Sequence, residues 1–164
     1  MWGSPNNLDA EIATVIVAEC LERLGADAGF VATVDHEAGT LEVARVTQYS
    51  QAPVRLTFPL DARYPLAETI RTKQPLYIGS NTELVCDHPG LVRVTEEDHA
   101  CATVPLLAED GELLGALNFG FDDPHAFTPE ERDLIDVVAR HCGQAMSLAR
   151  HLQSELGETT PVRA

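Results

Sequence analysis

Apolar positions at helical spacing open the chain. In LDAEIATVIVAECLERL, Leu8, Ile12, Val15, Ile16, Cys20 and Leu24 recur every three or four residues, and Gly25 stands where a helix C-terminal cap belongs. The pattern predicts an amphipathic helix over 8–24. It then changes to alternation: GFVATVDH and TLEVARVTQ, rich in Val and Thr and joined by EAG, predict two antiparallel strands across a short turn. PVRLTFPL predicts a third strand bounded by prolines. In YPLAETIRTKQPLYIGS, Pro65 opens a short helix carrying Leu66 and Ile70, and Pro75 ends it before the apolar run LYI.

Residues 80–98 are polar and acidic with one Pro-Gly step, which predicts a long connection carrying about one helical turn. Connections of that length inside compact domains commonly act as lids or binding loops. ACATVPLLAEDGELLGALNFGF follows, two apolar runs around Asp110-Gly111, a dipeptide favoured in two-residue hairpin turns. With that turn, Ala100, Ala102, Val104 and Leu106 oppose Phe121, Phe119, Leu117 and Gly115, a wholly apolar face for helices to cover. The opposite face carries Cys101, Thr103, Pro105 and Leu107 against Gly120, Asn118, Ala116 and Leu114. Small residues there leave space, and a few polar groups within apolar walls are what small-molecule sites look like. The expectation is a cavity on this face roofed by 80–98; the alternative is that loop side chains fill it.

The last element is FTPEERDLIDVVARHCGQAMSLARHLQSEL. Thr128 with Glu131 forms a capping box, Pro129 takes the first helical position, and Leu134, Val138, Cys142, Ala145, Ala149 and Leu152 make an apolar stripe. At about 1.5 Å per residue this helix runs roughly 40 Å, longer than a domain of this size needs. The sequence divides as one domain over 8–155, with 1–7 and 156–164 as flexible termini or linker remnants.

Composition narrows the function classes. The 164 residues carry 11 Lys plus Arg against 26 Asp plus Glu, a formal charge of −15. That field repels nucleic-acid phosphates and anionic lipid, so neither nucleic acid nor membrane is an expected partner. No window of about 20 apolar residues exists, and MWGSPNNLDAE lacks the blocks of a signal peptide, which makes the cytoplasm the expected location. The four cysteines, Cys20, Cys86, Cys101 and Cys142, sit in unrelated segments, so reduced thiols are expected rather than a disulfide framework.

The stretch LVCDHPGLVRVTEEDHAC brings Cys86 and His88 close in sequence to His99 and Cys101. Thiolate and imidazole suit zinc, but single-residue spacing is unlike the pairs two to four residues apart that a tight turn aims at one ion. No metal is expected. Cys20 and Cys142 lie on apolar helix stripes and read as core. Arg45 alternates with Val43 and Thr47, so it lies toward the core or pocket side, where it would meet an anion, or at a solvated edge.

Helix, two strands, a third strand, short helix, lid, long hairpin and terminal helix is an order that resembles the GAF domain. GFVATVDHEAGTLEVARV, YPLAETIRTKQPLYI, HPGL, ATVPLLAEDGELLGALNFGF and FTPEERDLIDVVARHCGQAMSLAR carry the resemblance, over roughly 8–152, and are most similar to GAF domains of bacterial sensor histidine kinases and sporulation-type regulatory serine/threonine phosphatases. The resemblance implies an α+β fold: an antiparallel sheet of five or six strands, with N- and C-terminal helices on one face and a loop-covered pocket on the other. It also implies a non-catalytic sensory or regulatory domain binding an unidentified small molecule, dimeric through its terminal helices, with a kinase or phosphatase domain downstream and no cofactor specified. The candidate ligand contacts are Cys101, Thr103, Asn118 and Gly120 on the hairpin, Arg45 on the second strand, Leu66 and Ile70 on the short helix, and Cys86, His88, Leu91 and His99 around the lid. The main alternative is a degenerate GAF domain acting only in dimerisation or protein interaction. Bilin-binding relatives place His or Tyr after the attachment cysteine where this chain has Asp87; a haem or metal redox sensor and a free methionine sulfoxide reductase are the remaining alternatives.

Overall fold

The computed structural model describes residues 8–47, 50–92 and 99–159. Its elements are α1 (Leu8–Leu24), β1 (Ala28–Asp35), β2 (Thr40–Thr47), β3 (Ser50–Pro59), α2 (Pro65–Thr72), β4 (Leu76–Ile78), α3 (Asn81–Asp87), β5 (Ala100–Leu107), β6 (Leu113–Phe121) and α4 (Pro129–Thr159). Six strands form one antiparallel sheet in the order β3-β2-β1-β6-β5-β4, the α+β architecture expected. Of the expected tails 1–7 and 156–164, residues 1–7 and 160–164 lie outside the described residues, as do the lid residues 93–98, while 156–159 continue α4.

Local signals end the helices where the residues predict. Past α1, the Ala26 N–H donates to Leu21 O and the Gly25 N–H to Glu22 O, satisfying the last carbonyls by a Schellman pair. Pro65 starts α2, and Lys73 closes it in the left-handed conformation with its N–H on Thr69 O at 2.8 Å. At α4 the capping box is reciprocal: Glu131 N–H donates to Thr128 Oγ1 at 3.1 Å, and Thr128 N–H to Glu131 Oε1 at 3.0 Å.

The hairpin departs from expectation at its tip. The loop is Glu109–Gly111, one residue longer than a two-residue turn: Gly111 N–H donates to Ala108 O, Ala108 N–H to Glu112 O, and Gly111 takes φ +88°. The extra residue slips the pairing, so Leu107 meets Leu113, and a bulge beside Leu106 restores it. From Ala100↔Phe121 to Leu106↔Gly115 the register is the one predicted. Leu114, expected opposite Leu107 on the cavity face, is turned by the bulge into the helix-side core.

α1 and α4 cover one face of the sheet, packing Val17, Leu21, Ile135 and Met146 onto Val31, Leu106, Leu117 and Phe119. The buried stripe of α4 is Ile135, Val138, Ala139, Cys142, Met146 and Ala149; Leu134 and Ala145 fall at its margin, and Leu152 is 46% exposed. Beyond Ala149 no α4 side chain is buried among the described residues. On the other face α2 packs Leu66, Ala67 and Ile70 against Ala28, Phe30, Ala32, Leu41, Val43 and Ala116. No described helix is long and apolar enough to cross a membrane.

Candidate functional site

Between the second face of the sheet and the helices α2 and α3 lies a cavity of about 40 Å³, room for about three water molecules. Its wall is Phe30 from β1, Leu41 from β2, Phe58 from β3, Tyr64 and Pro65–Ala67 at α2, Ile78 from β4, Asn81 and Leu84 from α3, His99–Cys101 leading into β5, and Asn118 from β6. The wall is apolar apart from the side chains of Asn118, Asn81, His99 and Cys101 and the Tyr64 hydroxyl. Asn118 is only 7% exposed, and its side-chain amide takes part in none of the hydrogen bonds among the described residues. Its nitrogen and oxygen are not among the fully buried atoms without a partner, so the amide is reached from the cavity with its bonding capacity open.

Asn81 and His99 close one side. Asn81 Nδ2 donates to His99 Nδ1 at 2.8 Å, which places the ring proton on Nε2, and the His99 N–H bonds Phe121 O at 2.9 Å. α3 itself follows from Ser80, whose Oγ accepts from Glu83 N–H at 3.1 Å. Ser80-Asn-Thr-Glu83 has the same spacing as the capping box at Thr128. That signal was present inside the segment expected to hold about one turn, and α3 makes nearly two.

Among the sequence-predicted site residues, Cys101, Asn118, Leu66 and His99 lie on the cavity wall. Thr103 is fully buried away from it, and its Oγ1, like that of Thr69 on α2, has no hydrogen-bond partner. Ile70 and Gly120 are buried but off the wall. Arg45 opposes Phe30 across β1 and β2, its guanidinium 5.8 Å from the ring centroid and outside the cavity lining. Cys86 is exposed on α3, while His88 and Leu91 line a separate cleft with Asp61, Arg63, Glu68 and Arg71. The lid therefore divides: Asn81, Leu84 and His99 meet the cavity, and the Cys86–Leu91 stretch does not. Sequence reading missed the other ten lining residues, Phe30, Leu41 and Phe58 on the strands and Asn81 and Leu84 on α3 among them; strand alternation groups the first three on one face without saying which face holds the cavity.

The thiols are spread over the molecule. Burial pushes the Cys142 thiol up to about 12, with Cys20 adding to the rise, and burial also raises Cys20. Cys142 is a core group and Cys20 packs half-buried against the core, and burial moves both away from the thiolate state that reactive cysteines need. No cluster of three or more His, Cys, Asp or Glu side chains suited to a metal exists among the described residues.

A junction ties α3 to the start of α4. The Gly79 N–H donates to the Glu83 carboxylate of α3, and Gly79 O accepts from His125 N–H at 2.9 Å. The His125 ring stacks on Phe121 at 4.2 Å and bonds Glu131 Oε2 through Nε2 at 2.7 Å. Partial burial raises the Glu131 carboxyl, but hydrogen bonds from Thr128 and His125 outweigh it and hold the group below the usual range. Arg132 sits over the Tyr77 ring at 4.4 Å on the same flank.

Known structures share this architecture. The GAF domain of a phosphoenolpyruvate-protein phosphotransferase from Coxiella burnetii superposes with a TM-score of 0.71 at 21% identity, covering 93% of this chain and 89% of that one. The GAF-B domain of DevS from Mycobacterium smegmatis gives 0.66 at 20%, covering 90% and 98%. The type II free methionine-R-sulfoxide reductase of Thermoplasma acidophilum gives 0.68 at 14%, covering 87% and 95%. At these identities the likeness is one of fold. No curated protein matches the chain. The profile of the GAF domain family matches residues 9–147, nearly the whole sheet and its helices, and the chain belongs to the GAF domain family.

Proposed function

We propose that this GAF domain is a non-catalytic sensory or regulatory module that binds a small molecule between the sheet and α2–α3 and passes occupancy to α4. It works as a homodimer in the bacterial cytoplasm, upstream of a kinase or phosphatase. The observation that carries the reading is the apolar cavity with the unpartnered Asn118 amide on its wall. Support for the non-catalytic reading comes from the thiols: Cys101 alone of the four lines the cavity, so a relay between pocket cysteines has no second member there. Support for the dimer comes from α4, where Leu148, Leu152 and Leu156 are 58%, 46% and 65% exposed at four-residue spacing. Native mass spectrometry of freshly purified protein tests both parts. A retained small molecule on a dimer is expected, and Leu148→Glu with Leu152→Glu should leave the monomer. A bare dimer that no small molecule binds would favour the interaction-module alternative, which the exposed leucines alone would support.

The route to α4 is the Gly79 junction. α3 contributes Asn81 and Leu84 to the cavity wall and Glu83 to the Gly79 N–H, so a ligand that prefers one position of α3 also biases His125 and Glu131. A Cβ at Gly79 would lie 2.8 Å from His125 O, a backbone atom that cannot step aside cheaply. Gly79→Ala should cost about 1–2 kcal/mol and abolish ligand-dependent change in amide exchange at the first turn of α4, while the cavity still fills. Unaltered transmission in that variant would rule this route out.

A further inference from the structure

We propose that the cavity selects a compact, uncharged molecule of about four to six heavy atoms, with an apolar body and one hydrogen-bonding end held by the Asn118 amide. The inference rests on the small-molecule reading of this site and narrows it to a ligand class. Size comes first. A cavity of about 40 Å³ accepts the bulk of about three waters, whereas sites for drug-sized or nucleotide-sized ligands run from about 300 to 1,000 Å³.

Charge comes second. Among the described residues, none of the fourteen that line the cavity is Lys, Arg, Asp or Glu, and a buried ion without a counter-charge loses far more hydration than apolar contacts return. The Arg45 guanidinium is engaged over the Phe30 ring, outside the wall. The net charge of −15 adds a long-range field against anions. The polar end is set by Asn118: its amide presents both a donor and an acceptor, so a carboxamide, which mirrors that pair, is the best complement and an alcohol or ketone the next. Phe30, Leu41, Phe58 and Leu66 then enclose the hydrocarbon part.

Propionamide and propionate make the test, being matched in shape and differing in charge. Each is titrated into isotope-labelled protein while the Asn118 side-chain amide is followed by NMR. Propionamide is expected to shift that resonance saturably at millimolar concentration, and propionate to bind at least about tenfold more weakly. Asn118→Leu preserves the side-chain volume, removes the hydrogen-bonding end of the cavity, and should weaken propionamide by about tenfold or more. The wild-type pair decides the question even where the variant fails to fold. Propionate binding as tightly as propionamide, and lost on Arg45→Met, would overturn the ligand class and leave the small-molecule reading standing. No shift with either probe would overturn both.

Discussion

Phe119→Ala is expected to lower the unfolding free energy by about 3–5 kcal/mol and the midpoint temperature by roughly 10 °C. Phe119 is fully buried at the centre of the sheet, under α1 and α4. Its cross-strand partners are Gly29 on β1 and Ala102 on β5, the smallest side chains available on either side. Neither can relax into the space the ring leaves, so the cost sits at the upper end for such truncations. A domain of this size holds about 5–15 kcal/mol in total, and the variant would be left marginal. Urea unfolding at constant slope measures it; a loss below about 1 kcal/mol would mean that the ring is not in a packed core. Asn118→Leu, one residue away on the opposite face, is expected to destabilise by less than about 1 kcal/mol, because it removes an amide that bonds no described residue rather than a packed ring.

Gly143→Ala is expected to destabilise by about 2 kcal/mol, although helix propensity alone predicts a gain of about 1 kcal/mol from removing glycine inside a helix. The sign is set by α4's docking. A Cβ on Gly143 would stand 2.5 Å from Leu107 O, and that atom is backbone at the end of β5, so α4 must move off the sheet. The strain exceeds the propensity gain because neither main chain can yield without disturbing the neighbouring pairs. Denaturant titration reads the stability, and amide exchange along α4 reads the displacement. A variant more stable than wild type would show that α4 is not seated on β5 at Gly143.

How much of this was legible beforehand differs by residue. The capping box at Thr128, the Pro65 start and the central hairpin register were readable because each depends on residues a few positions apart. The register came out as predicted for a compensated reason: a loop one residue longer than expected is offset by a one-residue bulge at Leu114. Cys101, Asn118 and His99 on the cavity wall were readable too, the first two because they share the hairpin face that Ala102 and Phe119 do not. Asn81 was missed although Ser80 and Glu83 carried a capping signature, because the surrounding polarity read as loop.

The sequence by itself determined the elements other than α3, the hairpin faces up to the bulge and the membership of the family, since periodicity, caps and turn chemistry are written over short spans. Only the tertiary structure decided that β1 and β6 lie side by side, which sets Phe30 opposite Asn118 from 88 positions away and brings β2 and β3 within reach of the same cavity. It also decided that Asn81 meets His99, that Cys86, His88 and Leu91 turn elsewhere, and that Gly143 is a docking point rather than a weak place in a helix. The reason is physical: strand order is chosen by burying all the apolar faces at once, a sum over the whole chain that no local pattern contains.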